Sequence, residues 1–313
     1  MIKKMVEKYP KAISIYRFFR NPFDISIIKL RRMFRNIYNL KIFKKIETEF
    51  PYSYFYKEKT HIFFGYFDIS PFNKNKLLSN QVRSSQKIMD VGFYDLNSNN
   101  LEFVKLGETE TWCWQMGYRL QWYPRKPNHV IYNRLFQNNY GSVIQNIKKS
   151  EDFLDIKYPI YSISHTEPVI LTLDFSRLES FRPGYGYQIL SDSTKHSYVP
   201  KSEAIVLYNY ESDCLERIVK YEDLVKDIFD KSTLETFHYV NHLSFQPGTK
   251  NFIFQHCILD GDKKRVRLLY YKYDDKTIVE LCKFGFLTSH FNWIDTENLV
   301  IYLATGPLGA GKT

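Results

Sequence analysis

From about residue 58 onward, the chain alternates short apolar-aromatic runs with turns rich in Asn, Asp, Gly and Pro. Runs of this length with a period of two predict strands. VGFYDLNSNNLEFVKLG (91–107), AIVLYNYESDCLERIV (204–219) and VRLLYYKYDDKTIVELC (266–282) each hold two such runs around an Asn/Asp-rich turn. Each predicts an antiparallel hairpin.

Between the hairpins one phrase returns, a hydrophobic run, a turn and a second hydrophobic run. It reads GYFDISPFNKNKLLSN (65–80), RLQWYPRKPNHVIYN (119–133), YSISHTEPVILTLDF (161–175), HLSFQPGTKNFIFQH (242–256) and HFNWIDTENLVIYLA (290–304). Its shared position, at Pro71, Pro124, Pro168, Pro247 and Asp295, steps by 53, 44, 79 and 48 residues. The longest step holds a polar, irregular insertion from about Glu179 to Lys201. Phrase and hairpin together make a four-stranded unit, and repetition every ~40–50 residues is the pattern of β-propeller blades.

The chain is thus predicted to be all-β, a β-propeller (58–313) of about five four-stranded blades with the last incomplete. The first strands, starting near His61, Trp112, Tyr161, His238 and Thr288, are expected to line a central channel. The alternative, a β-sandwich, does not require the same phrase five times. Because blade five stops after its second strand, leaving open sheet edges, the ring is expected to close through a partner or a continuation.

A different pattern occupies residues 1–57. From Asp24, a plausible N-cap, Ile27, Leu30, Phe34, Ile37 and Ile42 recur near helical spacing, with Arg31, Arg32, Arg35, Lys41 and Lys45 between them. The whole chain carries +10, yet residues 1–45 hold 13 Lys and Arg against only Glu7 and Asp24. That arm is therefore +11 and the rest of the chain −1. Charges interrupt it too often for a signal peptide or a membrane span. A basic amphipathic helix packs on its own domain, lies on an anionic membrane surface, or binds nucleic acid. Phe18, Phe19, Phe34 and Phe43 favour the membrane surface over nucleic acid, and the body has no aromatic-basic RNA-binding phrase.

Composition sharpens this picture in two places. The 25 Tyr and 25 Phe, against four Ala, favour strands over helices. The four cysteines (113, 214, 257 and 282) are scattered, as expected of reduced thiols in a cytoplasmic protein, with the arm allowing peripheral attachment at the inner membrane surface.

WCWQMGYRLQWYP (112–124), LDFSRLESFRPGYGY (173–187), HYVNHLSFQPG (238–248) and SHFNWID (289–295) together resemble the oligogalacturonate-lyase-like branch of the TolB-type β-propellers. The resemblance spans about residues 60–304 and is most specific in FSRLESFRPGYGY; family members usually run longer, and the basic arm has no counterpart in the lyases proper. It implies carbohydrate-related chemistry at the channel mouth, directed at an acidic polysaccharide or oligosaccharide in polysaccharide biosynthesis or metabolism. It also implies one divalent metal, Mn²⁺ or similar, held mainly by histidines. Through the matching phrases His242 and His290 correspond best, followed by His238 and His256. Such a metal would acidify a sugar α-proton by polarising the adjacent carboxylate, with His242 and Arg182 as the catalytic pair. A propeller that binds glycan without catalysis, as a scaffold at the inner membrane surface, is the alternative.

The residue types fit an acidic sugar. Arg177 and Arg182 are suited to bidentate carboxylate contacts, and Tyr185 and Tyr187 to ring stacking. Trp114 and Gln115, at the start of blade two, add a stacking face and a hydrogen bond. Each has a structural counterpart: a blade-start histidine bonding a neighbouring strand, a core tryptophan, or a loop tied inward through buried Arg–carbonyl bonds. Asp68 is expected to cap a turn.

The last eight residues, GPLGAGKT (306–313), fit the phosphate-binding P-loop pattern. A P-loop needs the N-terminus of a following helix and a later acidic strand, and neither follows. NLVIYLAT instead continues the register of blade five, so a nucleotide cofactor is not expected.

Overall fold

The structure is a computed structural model that describes residues 60–83, 87–98, 101–228 and 230–304. The basic arm, with its proposed membrane contact, and the P-loop-like tail lie outside the described residues.

The strands fall into successive antiparallel sheets. The first runs β1 (Thr60–Phe63), β3 (Lys76–Arg83), β4 (Met89–Asp95), β5 (Phe103–Thr109), with a short β2 (Phe72–Asn73) folded onto β3. The second runs β6 (Gln121–Trp122), β7 (His129–Phe136), β8 (Asn139–Asn146), β9 (Phe153–Ile156). The third is β10 (Ser162–Ile163), β11 (Val169–Thr172), β12 (Glu203–Asn209), β13 (Cys214–Lys220). The fourth is β14 (Phe237–Phe245), β15 (Phe252–Asp260), β16 (Lys263–Lys272), β17 (Thr277–Cys282), and the pair β18 (Leu287–Trp293) and β19 (Leu299–Ala304) follows.

Within the described residues, every strand pairs only inside its own unit. A Greek-key sandwich requires strands that cross between sheets, so this order is that of propeller blades. The hairpin turns use the predicted chemistry: Gln137 and Asn138, both at positive φ, form the two-residue connection between β7 and β8.

The cores lie between consecutive blades. Leu78, Val82, Met89 and Val91 of blade one pack with Tyr118, Leu120, Val130 and Tyr132 of blade two. Ile131, Ile144 and Ile156 of blade two meet Ile160, Ile163 and Ile170 of blade three. Blades three and four share the largest cluster, which includes Val169, Leu171, Leu207, Tyr239 and Phe254. Ile253 and Leu268 of blade four receive Phe291, Leu299 and Ile301 of blade five. Both faces of a middle blade are thus apolar, as the near-continuous hydrophobic runs require.

Two stretches differ from the sequence expectation. Blade two was expected to begin as a strand near Trp112. Instead Cys113 and Gly117 form a single bridge around a turn, and regular pairing starts only at Gln121. Positive φ at Gly117 and Arg119 breaks the strand, and the Asn80 amide fills the space where a Cβ on Gly117 would sit. The insertion in blade three opens with a helix, α1 (Phe175–Phe181), whose N-cap Asp174 accepts from the Ser176 and Arg177 amides. A second, one-turn helix, α2 (Lys231–Leu234), precedes blade four.

Ile170 has no exposed surface and fills the interface between blades two and three. Ile170→Ala should lower stability by about 2–5 kcal/mol. In urea the midpoint should fall while the slope of the transition stays unchanged.

Candidate functional site

The inner strands converge on an axis where the packing turns polar. Arg119, 2% exposed, makes a bidentate pair with Asp68 at 3.2 and 2.9 Å, donates to the Tyr161 carbonyl, and lies 4.6 Å over the Tyr161 ring. Asp68 is therefore an axial counter-ion and not the turn cap expected from its sequence. The Tyr161 hydroxyl donates to Asn241 Oδ1 at 2.8 Å and accepts from the His242 backbone N–H at 3.0 Å.

That second bond falls at a bulge. The register of β14 gains one residue between Asn241 and Ser244, and His242 sits there at φ +52°. Inner strand β18 carries the same irregularity between Thr288 and Phe291, which spans His290. A bulge re-aims a side chain out of the sheet alternation. Both histidines thereby reach one cluster: the Tyr66 ring lies 5.2 Å from the His242 ring and 5.7 Å from the His290 ring, and Tyr66 Oη is 3.2 Å from His290 Nε2. Phe67 packs against His290, with ring centroids 4.4 Å apart.

The insertion loop supplies the opposite wall. Glu179 accepts from the Gly184 and Gly186 amides, folding the loop back onto α1. Gly186 approaches so closely that a Cβ there would lie 2.1 Å from the Phe175 carbonyl. This fold places Arg182 at the cluster, 3.6 Å over the Tyr185 ring and 3.3 Å from His242 Nε2. Arginine only donates, so His242 Nε2 accepts and the imidazole is neutral with its proton on Nδ1. Burial, reinforced by Arg182, Lys264, Arg119 and His290, holds the His242 pKa well below the usual histidine range. Among the described residues, no carboxylate pairs with Arg182.

The other sequence candidates separate from this cluster. Arg177 is 1% exposed and spends its guanidinium on the carbonyls of His238, Thr194, Ser197 and Tyr198, between the Phe181 and Tyr221 rings. It is the tie that fastens the insertion to blade four, and its burial removes it from the sugar-binding set. Tyr187, also 1% exposed, stacks on Phe175 at 4.4 Å and accepts from Asn133, so it belongs to the core. Trp114 remains 54% exposed beside Trp112 and Phe63, and the exposed Gln115 bonds the Gly184 carbonyl through its backbone N–H at 3.1 Å.

The expected four-histidine metal set does not assemble. His238 and His256 form a buried chain of their own. Arg267 Nε donates to His256 Nδ1 at 3.0 Å, so His256 Nε2–H donates to His238 Nδ1 at 2.9 Å, and His238 Nε2–H donates to the Thr233 carbonyl at 3.1 Å. Every ring nitrogen of this pair is occupied, and none offers a lone pair to a cation. His242 Nε2 is given to Arg182, and His290 stands exposed between Tyr66 and Ser289. Among the described residues, no three His, Cys, Asp or Glu side chains are grouped to hold a metal ion. The residues present do not fit the group that the resemblance implied.

Sequence reasoning missed Tyr66, Phe67, Tyr161 and Asn241. Each lies next to a residue or phrase that was noticed, but aromatic residues are too common in this chain to stand out. What the cluster offers is a cation with no carboxylate partner among the described residues, set between aromatic faces.

No family model and no curated protein matches this chain. A solved structure described as oligogalacturonate lyase in complex with manganese is similar to it, with a TM-score of 0.40 and 10% identity over 74% of this chain and 69% of that one. The propeller architecture is carried by the sheet order and blade interfaces described above.

The buried histidine pair makes stability depend on pH. Burial brings His238 down to about 4, and burial together with Arg267 and His238 holds His256 well below its ordinary value. Unfolded histidine titrates near ~6.5, so on acidification the unfolded chain takes up protons first. The stabilisation is fully present above ~6.5 and is lost as pH falls toward and through the folded value of about 4. A His238→Asn/His256→Gln variant should be less stable at neutral pH by about 1–3 kcal/mol. Its melting temperature should also fall less steeply than the parent's across that acid window, in circular dichroism melts; an unchanged slope would exclude the pair as the titrating element.

Proposed function

We propose that this propeller binds an acidic oligosaccharide at the channel mouth, serving polysaccharide biosynthesis or metabolism. The observation that carries the reading is Arg182, half-buried, stacked on Tyr185 and bonded to a neutral imidazole, with no carboxylate partner among the described residues. Leaving a guanidinium uncompensated in a partly desolvated site is unfavourable, and a ligand carboxylate relieves it through charge-assisted, bidentate bonds. Tyr185 and Tyr66, with ring centroids 5.8 Å apart, supply apolar faces and hydroxyls suited to a sugar ring. The exposed Trp114, adjoining through Gln115 and Gly184, provides a platform for a further ring. In this reading His242 positions Arg182 through its Nε2 acceptor, and no metal is required for binding.

Calorimetric titration with trigalacturonate, against its methyl-esterified, uncharged form, tests the proposal. The acidic ligand should bind more tightly, with affinity falling as salt is raised. Arg182→Gln should weaken it by roughly tenfold or more, as expected for loss of a hydrogen bond between charged groups. Equal affinity for the two ligands, or an Arg182→Gln protein that binds normally, would sink the reading.

A further inference from the structure

A second cavity lies farther along the same axis. Along the chain, the residues lining it follow those of the mouth: Asp68 after Tyr66 and Phe67 in the turn beyond β1, Ser244 after His242 on β14, and Asn292 and Trp293 after His290 on β18. All five blades contribute, and the volume is about 200 Å³. The Arg119 guanidinium stacked on Tyr161 lies between this cavity and the mouth, since Arg119 lines the cavity while Tyr161 bonds His242. Arg182, Tyr185, His242 and His290 take no part in its wall.

The chemistry of the wall differs from that of the mouth. Its one arginine is already neutralised by Asp68, so the cavity offers no free guanidinium to a carboxylate. A carboxylate entering it would meet Asp68 instead. Apart from His165, the remaining polar side chains are uncharged hydroxyls and amides, among them Ser162, Ser164, Ser244, Gln246 and Asn292. Among the described residues, the Ser244 hydroxyl and the Asn292 amide have no hydrogen-bond partner. Two wall residues also carry buried N–H groups that no atom of the described residues accepts, Arg119 Nε and Trp293 Nε1. Unmet buried donors are uncommon in folded proteins. Both nitrogens are buried, that of Trp293 within an indole that lines the cavity.

Size narrows the class of ligand. A cavity of ~150 Å³ accepts a benzene ring, so this one holds a single six-membered ring with its substituents. A ring bearing many oxygens, each able to donate and accept, matches scattered hydroxyl and amide partners around one indole face. We infer that this axial cavity is a binding site for one neutral monosaccharide ring, separate from the acidic mouth and selective against uronic acids. The inference stands on the cavity alone and holds whether or not the mouth binds acidic glycan.

The test uses the indole N–H signals of the full chain in two-dimensional NMR, with the Trp293 signal identified by its loss in Trp293→Phe. Glucose, galactose, mannose and galacturonic acid are titrated to about 100 mM, since single rings bind on the order of millimolar. At least one neutral hexose should shift the Trp293 signal saturably, while the Trp112 and Trp122 signals, already bonded to the Lys87 and Pro71 carbonyls, stay in place. Asn292→Ala, an exposed change with no partner to orphan, should weaken that binding at least fivefold. Arg182→Gln should leave it unaltered. The inference is overturned if no neutral hexose moves the Trp293 signal, if galacturonic acid moves it as readily, or if Arg182→Gln abolishes the effect and so merges the cavity with the mouth.

Discussion

The structure depends on how polar groups are satisfied where its inner strands meet. Stacked blades bury apolar side chains between one another, but at the axis they crowd backbone and polar groups into a space with little water. Arg119 resolves this for three blades. It holds Asp68 of blade one and the Tyr161 carbonyl and ring of blade three, from its own place at the start of blade two. Tyr161 extends the connection to blade four through Asn241 and the His242 amide. Breaking a buried pair of this kind leaves an uncompensated charge, which costs far more than the intact pair contributes.

From that axis the two proposed sites acquire opposite character. Toward the mouth, Arg182 and Lys264 add positive charge that no described carboxylate offsets, and His242 responds by staying neutral. Beyond Arg119, the counter-ion Asp68 offsets the arginine, and hydroxyls, amides and His165 make up the other polar side chains of the wall. One arginine is thus both an architectural tie and the boundary between two electrostatic environments. The bulges at His242 and His290 belong to the same design, since regular alternation on β14 and β18 would not bring both rings to Tyr66.

Arg177 and Arg182 show where sequence reading runs out. They are five residues apart in one loop, equally suited by type to bind a carboxylate. The first lies on a buried turn of α1 and spends its donors on carbonyls and the Thr194 hydroxyl; the second follows the helix end and is turned to the axis by the Glu179 clamp on Gly184 and Gly186. The four histidines divide in the same way. His238 and His242 are four residues apart on one strand, so regular alternation alone would put them on the same face. The extra residue at the bulge sends one to the His256 chain and the other to the mouth.

What the sequence determined by itself was the architecture. Strand period, turn residues and a phrase recurring five times are local or evenly repeated properties, and burial of both faces of each sheet follows from its apolar runs. It also marked the insertion loop and β14, the segments from which Arg182 and His242 come together. Only the tertiary structure decided which side chains share a site, because that depends on bulges, loop closure and hydrogen-bond saturation among residues up to 224 positions apart, as between Tyr66 and His290. A donor already bonded to a carbonyl and a donor left open have the same one-letter code.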